Sequence, residues 1–113
     1  MPYINTTTTK KITEEQRLEL INTFGKLIEI IPGKIEEYLM LNFEGEAKMA
    51  YQGDANQDCA ILAVDILGAA EEKYLARLSD ELCLAGNRVL GVPTERIYVK
   101  FGVYDHWYCG VSK

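Results

Sequence analysis

The chain has 113 residues, 48% hydrophobic and 26% charged, the balance of one ordinary globular domain, and no apolar run approaches the length of a membrane span. Its net charge of -5 excludes attraction of the surface as a whole to a nucleic-acid backbone or an anionic membrane. Cys59, Cys83 and Cys109 are odd in number and spaced for neither zinc nor a redox pair, and no secretory signal opens the chain, so a cytoplasmic protein with reduced thiols is expected.

Residues 2 to 8 read as a strand, from β-branched Ile4 and Thr6 to Thr8 behind a proline. Pro2 has two readings. It is a tolerated strand start, because its missing N–H need not join a ladder. If Met1 is removed it is also a free secondary amine, which an apolar pocket and nearby cations would hold neutral near pH 7. Thr13 then opens a helix through a T-x-x-Q capping box with Gln16, and Leu20, Ile21, Phe24, Leu27, Ile28 and Ile31 recur at i, i+3, i+4 spacing. Pro32-Gly33 stops it. Residues 37 to 43 are expected as a second strand, followed by a polar, Gly-bearing stretch to Asp58 with at most a short edge strand near Lys48 to Tyr51. A third strand spans Cys59 to Leu67. The second helix runs from Ala70 to Leu90 with Leu75, Leu78, Leu82, Ala85 and Val89 on one face, Gly91 and Pro93 end it, and Arg96 to Phe101 form the fourth strand.

Strand, helix, strand thus occurs twice. Sliding the chain by about 59 residues lays one unit on the other with negligible identity but the same order, which divides a single domain, 1–113, into pseudo-repeats of about 2–58 and 59–113. Each unit is a βαβ crossover with parallel strands. Residues 38 to 41 and 60 to 67 are nearly continuous apolar runs, apart from Asp65, as in strands covered on both faces. Two helices can cover only one face, so the other calls for a second copy of the chain.

These pieces carry a resemblance. Pro2 after Met1, the turn Pro32-Gly33-Lys34 leading into Tyr38-Leu39-Met40-Leu41, the entry Cys59-Ala60-Ile61-Leu62, Leu67-Gly68, and Pro93-Thr94-Glu95-Arg96-Ile97-Tyr98-Val99 fall at the order and spacing of the tautomerase superfamily. Within it the chain resembles the macrophage migration inhibitory factor and D-dopachrome tautomerase group over essentially its whole length. The resemblance implies an α+β double βαβ fold: a four-stranded mixed sheet with two helices on one face, assembled as a homotrimer with sheets packed inward and pockets at subunit boundaries. It implies Pro2 as the catalytic base, Lys34 as the lysine that holds a substrate carboxylate or polarises its carbonyl, the backbone N–H of Leu67 as a further donor, and Tyr98 as the tyrosine supplied by a neighbouring subunit.

Two departures carry consequences. Leu62 replaces the second cysteine of the Cys-x-x-Cys pair of the mammalian cytokine, so thiol-disulfide activity is not carried over. Lys100 stands where the family often has asparagine, on the same strand face as Tyr98, which gives the pocket a second lysine suited to a more acidic substrate. The tail Tyr104-Asp105-His106-Trp107-Tyr108 is shortened, and the lone His106 reads as a loop residue with no second ligand to suggest a metal. The implied function is a cofactor-free keto-enol tautomerase acting on an α-keto acid or enol of the phenylpyruvate type. The alternative is a cytokine-like trimer that binds a protein receptor and keeps a vestigial site.

Overall fold

The structure is a computed structural model and describes residues 1–111. It consists of β1 (Pro2–Thr8), α1 (Glu14–Leu27), β2 (Met40–Glu44), β3 (Ala60–Leu67), α2 (Glu72–Leu90) and β4 (Ile97–Tyr104), with single 3-10 turns at Ile28–Ile30, Glu36–Tyr38 and Thr94–Arg96. The sheet order is β2-β1-β3-β4. β1 pairs parallel with β2, β3 parallel with β4, and β1 antiparallel with β3, so two βαβ units meet along an antiparallel seam in a mixed sheet.

Local sequence explains the helices. The Thr13 hydroxyl accepts from the Gln16 N–H at 3.1 Å while the Gln16 side chain accepts from the Thr13 N–H at 2.9 Å, so two donors of the first turn are satisfied reciprocally. α2 ends on Gly91, whose φ of 75° is left-handed and open to glycine at little cost, and whose N–H returns to the Asn87 carbonyl at 2.9 Å. Both helices lie against one face of the sheet. Leu20, Phe24 and Ile28 of the first crossover and Leu78, Leu82 and Ala85 of α2 share a core with Ile4, Leu62, Val64, Ile66 and Ile97. Phe24 is fully buried, which by itself is worth about 2–3 kcal/mol over an exposed ring.

β3 shows the consequence for the sheet. Ala60, Leu62, Val64 and Ile66 are buried under the helices while Ile61, Ala63, Asp65 and Leu67 alternate with them on the half-covered opposite face. That face also carries Tyr98 and Lys100, because Val99 and Phe101 turn toward the core. No helix among the described residues is long and apolar enough to cross a membrane.

Strand boundaries depart from expectation: β2 runs on to Glu44, β3 starts at Ala60 rather than Cys59, β4 starts at Ile97 with Arg96 in the preceding turn, and two further differences are larger. Residues 37 to 39 do not belong to β2: Tyr38 and Leu39 donate to the carbonyls of Ile35 and Glu36 at 3.2 and 3.0 Å, which curls them into a turn and delays pairing until Met40 meets Tyr3. Lys48 to Tyr51, expected to hold at most a short edge strand, form none. Instead Tyr51 and Asp54 exchange both backbone hydrogen bonds, at 3.1 and 3.0 Å, across Gln52 and Gly53, whose φ of 56° and 73° make a tight left-handed hairpin turn. β4 runs on past Phe101 to Tyr104, since β3 offers partners as far as Leu67. α1 passes into its 3-10 turn at Ile28, before Ile31, and α2 begins at Glu72 rather than Ala70.

Candidate active site

The antiparallel seam places Pro2 opposite Ile66, at the point where β3 ends. Pro2 is buried, and its lack of an N–H costs nothing at a strand start. One residue further along β3 the Leu67 N–H donates to the Met1 carbonyl at 3.1 Å, and the Leu67 carbonyl accepts from Lys34 Nζ at 2.8 Å. Lys34 reaches this spot because Ile31 to Lys34 form a turn, closed by the Lys34 N–H on the Ile31 carbonyl at 3.1 Å, with Gly33 at a φ of 84°. Three of the five residues singled out from sequence, Pro2, Lys34 and Leu67, therefore converge at one end of the sheet.

The electrostatics of that end disfavour a protonated amine. The amino group of Met1 is held below the ordinary range, first by desolvation and then by the neighbouring Lys34 ammonium. Lys34 spends one of three donors on Leu67 and has two others for a ligand. The end of β4 lies beside the end of β3: the Gly68 N–H donates to the Tyr104 carbonyl at 2.9 Å, and the Tyr104 and Trp107 rings meet edge to face at 6.0 Å. His106 is exposed in the segment that follows β4. No group of three metal-ligating side chains occurs among the described residues.

Tyr98 and Lys100 are not brought to this end. Tyr98 pairs with Ile61, five residues from Ile66 along β3, or about 17 Å, and Lys100 pairs with Ala63, about 10 Å from Ile66. Both are exposed on the face away from the helices. Sequence reasoning missed what surrounds Tyr98. The Tyr51 ring meets it edge-on with centroids 5.0 Å apart, and the Arg96 guanidinium lies 5.1 Å from the Tyr51 ring centroid. Arg96 is 6% exposed and donates to the carbonyls of Asp58 at 2.9 Å, Gln57 and Asp54 at 3.3 Å and Tyr51 at 3.4 Å, so it binds the 51–58 loop to the start of β4. The Tyr98 hydroxyl, followed by desolvation, pushes the Tyr51 phenol above the ordinary tyrosine range, with Arg96 opposing. The one local signal was the glycine of Tyr51-Gln52-Gly53-Asp54, a turn mark that places a side chain without naming its partner.

No family model matches the chain, and no curated protein matches it in sequence. Solved structures do. MIF2 of Leishmania major superposes with a TM-score of 0.88 at 24% identity, covering 98% of this chain and 93% of that one. The macrophage migration inhibitory factor of Toxoplasma gondii gives 0.86 at 24% identity, with 96% of each chain covered. A protein described as Pt0534 inactivated by 2-oxo-3-pentynoate gives 0.76 at 18% identity, over 90% of this chain and 85% of that one. At these identities the likeness establishes the fold of the macrophage migration inhibitory factors, as the sequence resemblance implied.

Proposed function

We propose that this chain, which carries the fold of the macrophage migration inhibitory factors, is a cofactor-free keto-enol tautomerase for phenylpyruvate-type α-keto acids, with Pro2 as its base. One observation supports the reading above the others: the carbonyl oxygen of the acyl group on the Pro2 nitrogen accepts from the Leu67 N–H, beside the Lys34 ammonium. Removing Met1 frees at one stroke a secondary amine and an N–H donor aimed at the space next to it. A substrate oxygen placed on that donor brings the adjacent carbon to the amine.

The chemistry follows from these groups. Neutral Pro2 takes the proton from the carbon next to the ketone, and the electron pair of the broken C–H bond moves to the carbonyl oxygen. Leu67 N–H and Lys34 stabilise the charge that develops there; water protonates that oxygen, and the protonated amine gives its proton to the hydroxide left behind, which completes the enol and restores the neutral base. In the ketonising direction the protonated amine returns its proton to carbon. Because each direction needs the amine in a different state, an amine pKa near the working pH serves both, and an α-amino group in a desolvated site beside Lys34 is displaced downward from an already suitable starting range.

The reading includes a homotrimer. Tyr98 stands about 17 Å along the sheet from the Pro2 end of its own chain, so it can bound a substrate ring only in the pocket of another copy. A reading built on an arginine-lined carboxylate site, as in dehalogenation of haloacrylates or decarboxylation of malonate semialdehyde, fits less well: Arg17 is engaged by Glu14, Arg88 by Glu19 and Arg96 by backbone carbonyls, and Arg77 is exposed on α2. The test is to compare the protein with Met1 intact and after aminopeptidase trimming, each verified by intact mass. Enol-ketone exchange of phenylpyruvate should appear only in the trimmed form. Equal turnover by both forms would remove Pro2 as the base, and no turnover by either would leave the protein-binding trimer as the better reading.

A further inference from the structure

The aromatic cluster at the far end of the sheet does more than close a loop. Tyr98 is 56% exposed, yet its buried edge is fixed, because the Tyr51 ring stands against it at an interplanar angle of 79°. Tyr51 is itself fixed twice, by the hairpin bond pair to Asp54 and by Arg96, which holds its carbonyl and lies over its ring. Arg96 cannot leave without taking the donor from the Asp58 and Gln57 carbonyls, and a buried guanidinium without its acceptors would be costly in its own right. A half-open pocket of about 130 Å³ lined by Met49, Tyr51, Cys59, Ile61 and Tyr98 among others adjoins the pair. A Tyr98 ring without its lateral support has that space to fall into.

We infer that Tyr51, mounted on Arg96, is a positioning residue that sets the angle at which Tyr98 presents its free face, and so decides acceptance of an aryl substituent on the substrate. The inference rests on the proposed pocket, in which Tyr98 bounds the substrate ring. A planar ring stacked or set edge-on against Tyr98 gains only if the phenol plane is held. A short α-keto acid without a ring touches neither and is indifferent to Tyr51. Tyr51 therefore acts on selectivity between substrates and leaves the proton transfer at Pro2 untouched.

The experiment uses trimmed, full-length protein with phenylpyruvate as the aryl substrate and 2-oxobutanoate as the ring-free one, on the parent, Tyr51→Leu, Tyr51→Phe, Tyr98→Leu and the double variant. Tyr51→Leu should raise KM for phenylpyruvate by about fivefold, the scale of one lost aromatic pair, with kcat, the acidic limb of the rate profile and KM for 2-oxobutanoate unchanged. Tyr51→Phe keeps the ring edge and should restore the parent value, and Leu at position 51 should add nothing once Tyr98 is Leu. If Tyr98→Leu raises the aryl KM and Tyr51→Leu does not, Tyr51 has no positioning role and the pocket stands. If Tyr98→Leu leaves the aryl KM unchanged, Tyr98 is outside the pocket and both ideas fall together. A Tyr51→Leu that loses both substrates equally, or whose thermal midpoint drops by more than a few degrees, shows a merely structural role and overturns the inference, as does a parent that turns over neither.

Discussion

The two ends of the sheet are built to different plans. At the Pro2 end the polar groups have capacity to spare: Lys34 uses one donor of three, and the Leu67 N–H is held only by the residue that precedes Pro2. At the Tyr98 end little is spare, since Arg96 is satisfied by four carbonyls and the rings of Tyr51 and Tyr98 satisfy each other by shape. Unspent donors suit chemistry, and a saturated, rigid cluster suits recognition of form. One strand of eight residues, β3, separates the two, so the pocket of the proposed function takes each half from a different copy.

The sharpest way to break this division of labour is at the base. Pro2→Gly keeps a terminal amine after trimming but loses the ring-constrained secondary one, and phenylpyruvate exchange should fall about 10²-fold or more. A variant that matched the parent would mean that the Pro2 end is not the chemical half.

Next in size is complementation between the halves. Pro2→Gly and Tyr98→Leu subunits, unfolded together and refolded, should recover about a quarter of the parent rate on statistical mixing, because each mixed trimer of a closed ring contains one boundary where an intact Pro2 faces an intact Tyr98. A mixture no more active than the mean of its two components places both residues of a working site in the same chain. Sedimentation equilibrium of the parent at micromolar concentration should give the trimer mass beforehand.

How far these halves could be read from sequence depended on the range of the interactions that make them. Thr13, Gln16 and the apolar spacing of α1 act within a few turns, so the helix and its buried face were legible. Pro2, Lys34 and Leu67 were singled out by resemblance, and the fold brings those three together. The turn at Glu36–Tyr38 was not legible, because Tyr38-Leu39 has strand propensity and only the pairing of Met40 with Tyr3 decides where β2 begins. In the sequence Arg96 is a residue at a strand start. It proves to be 6% exposed because carbonyls some 38 to 45 positions earlier surround it, a fact of tertiary contact that no local window contains.

Lys34→Ala tests the electrostatic side of the Pro2 half. Loss of a charge-assisted contact to the substrate should lower kcat/KM by about tenfold or more. The sign of the pH effect is separate. Lys34 disfavours a protonated amine at the chain start, so its removal lets the amine hold its proton to higher pH, and the acidic limb of kcat/KM should move upward. A lower rate with an unmoved limb would make Lys34 a binding residue that does not tune the base.

The smallest expected effect is at Lys100, which sharpens the comparison because it puts charge into the half that is otherwise all shape. It lies on the same open face of β4 as Tyr98, two residues along and opposite Ala63, and its side chain is exposed. In an assembled pocket that takes Tyr98 from a neighbour, Lys100 comes with it and adds a second cation facing Lys34. Two cations favour a dianion over a monoanion, and at an effective dielectric near 20 with screening the preference is on the order of 1 kcal/mol, about fivefold. The same like charge disfavours the protonated amine, so its removal raises the pKa of the base. Lys100→Asn should therefore weaken inhibition by dicarboxylates about fivefold more than by monocarboxylates, and shift the acidic limb upward by less than Lys34→Ala does. Inhibition constants for paired mono- and dicarboxylates, with the rate profile of each variant, measure both. If selectivity and limb both stay where they are in the parent, Lys100 points into solvent and the Tyr98 half contributes shape alone.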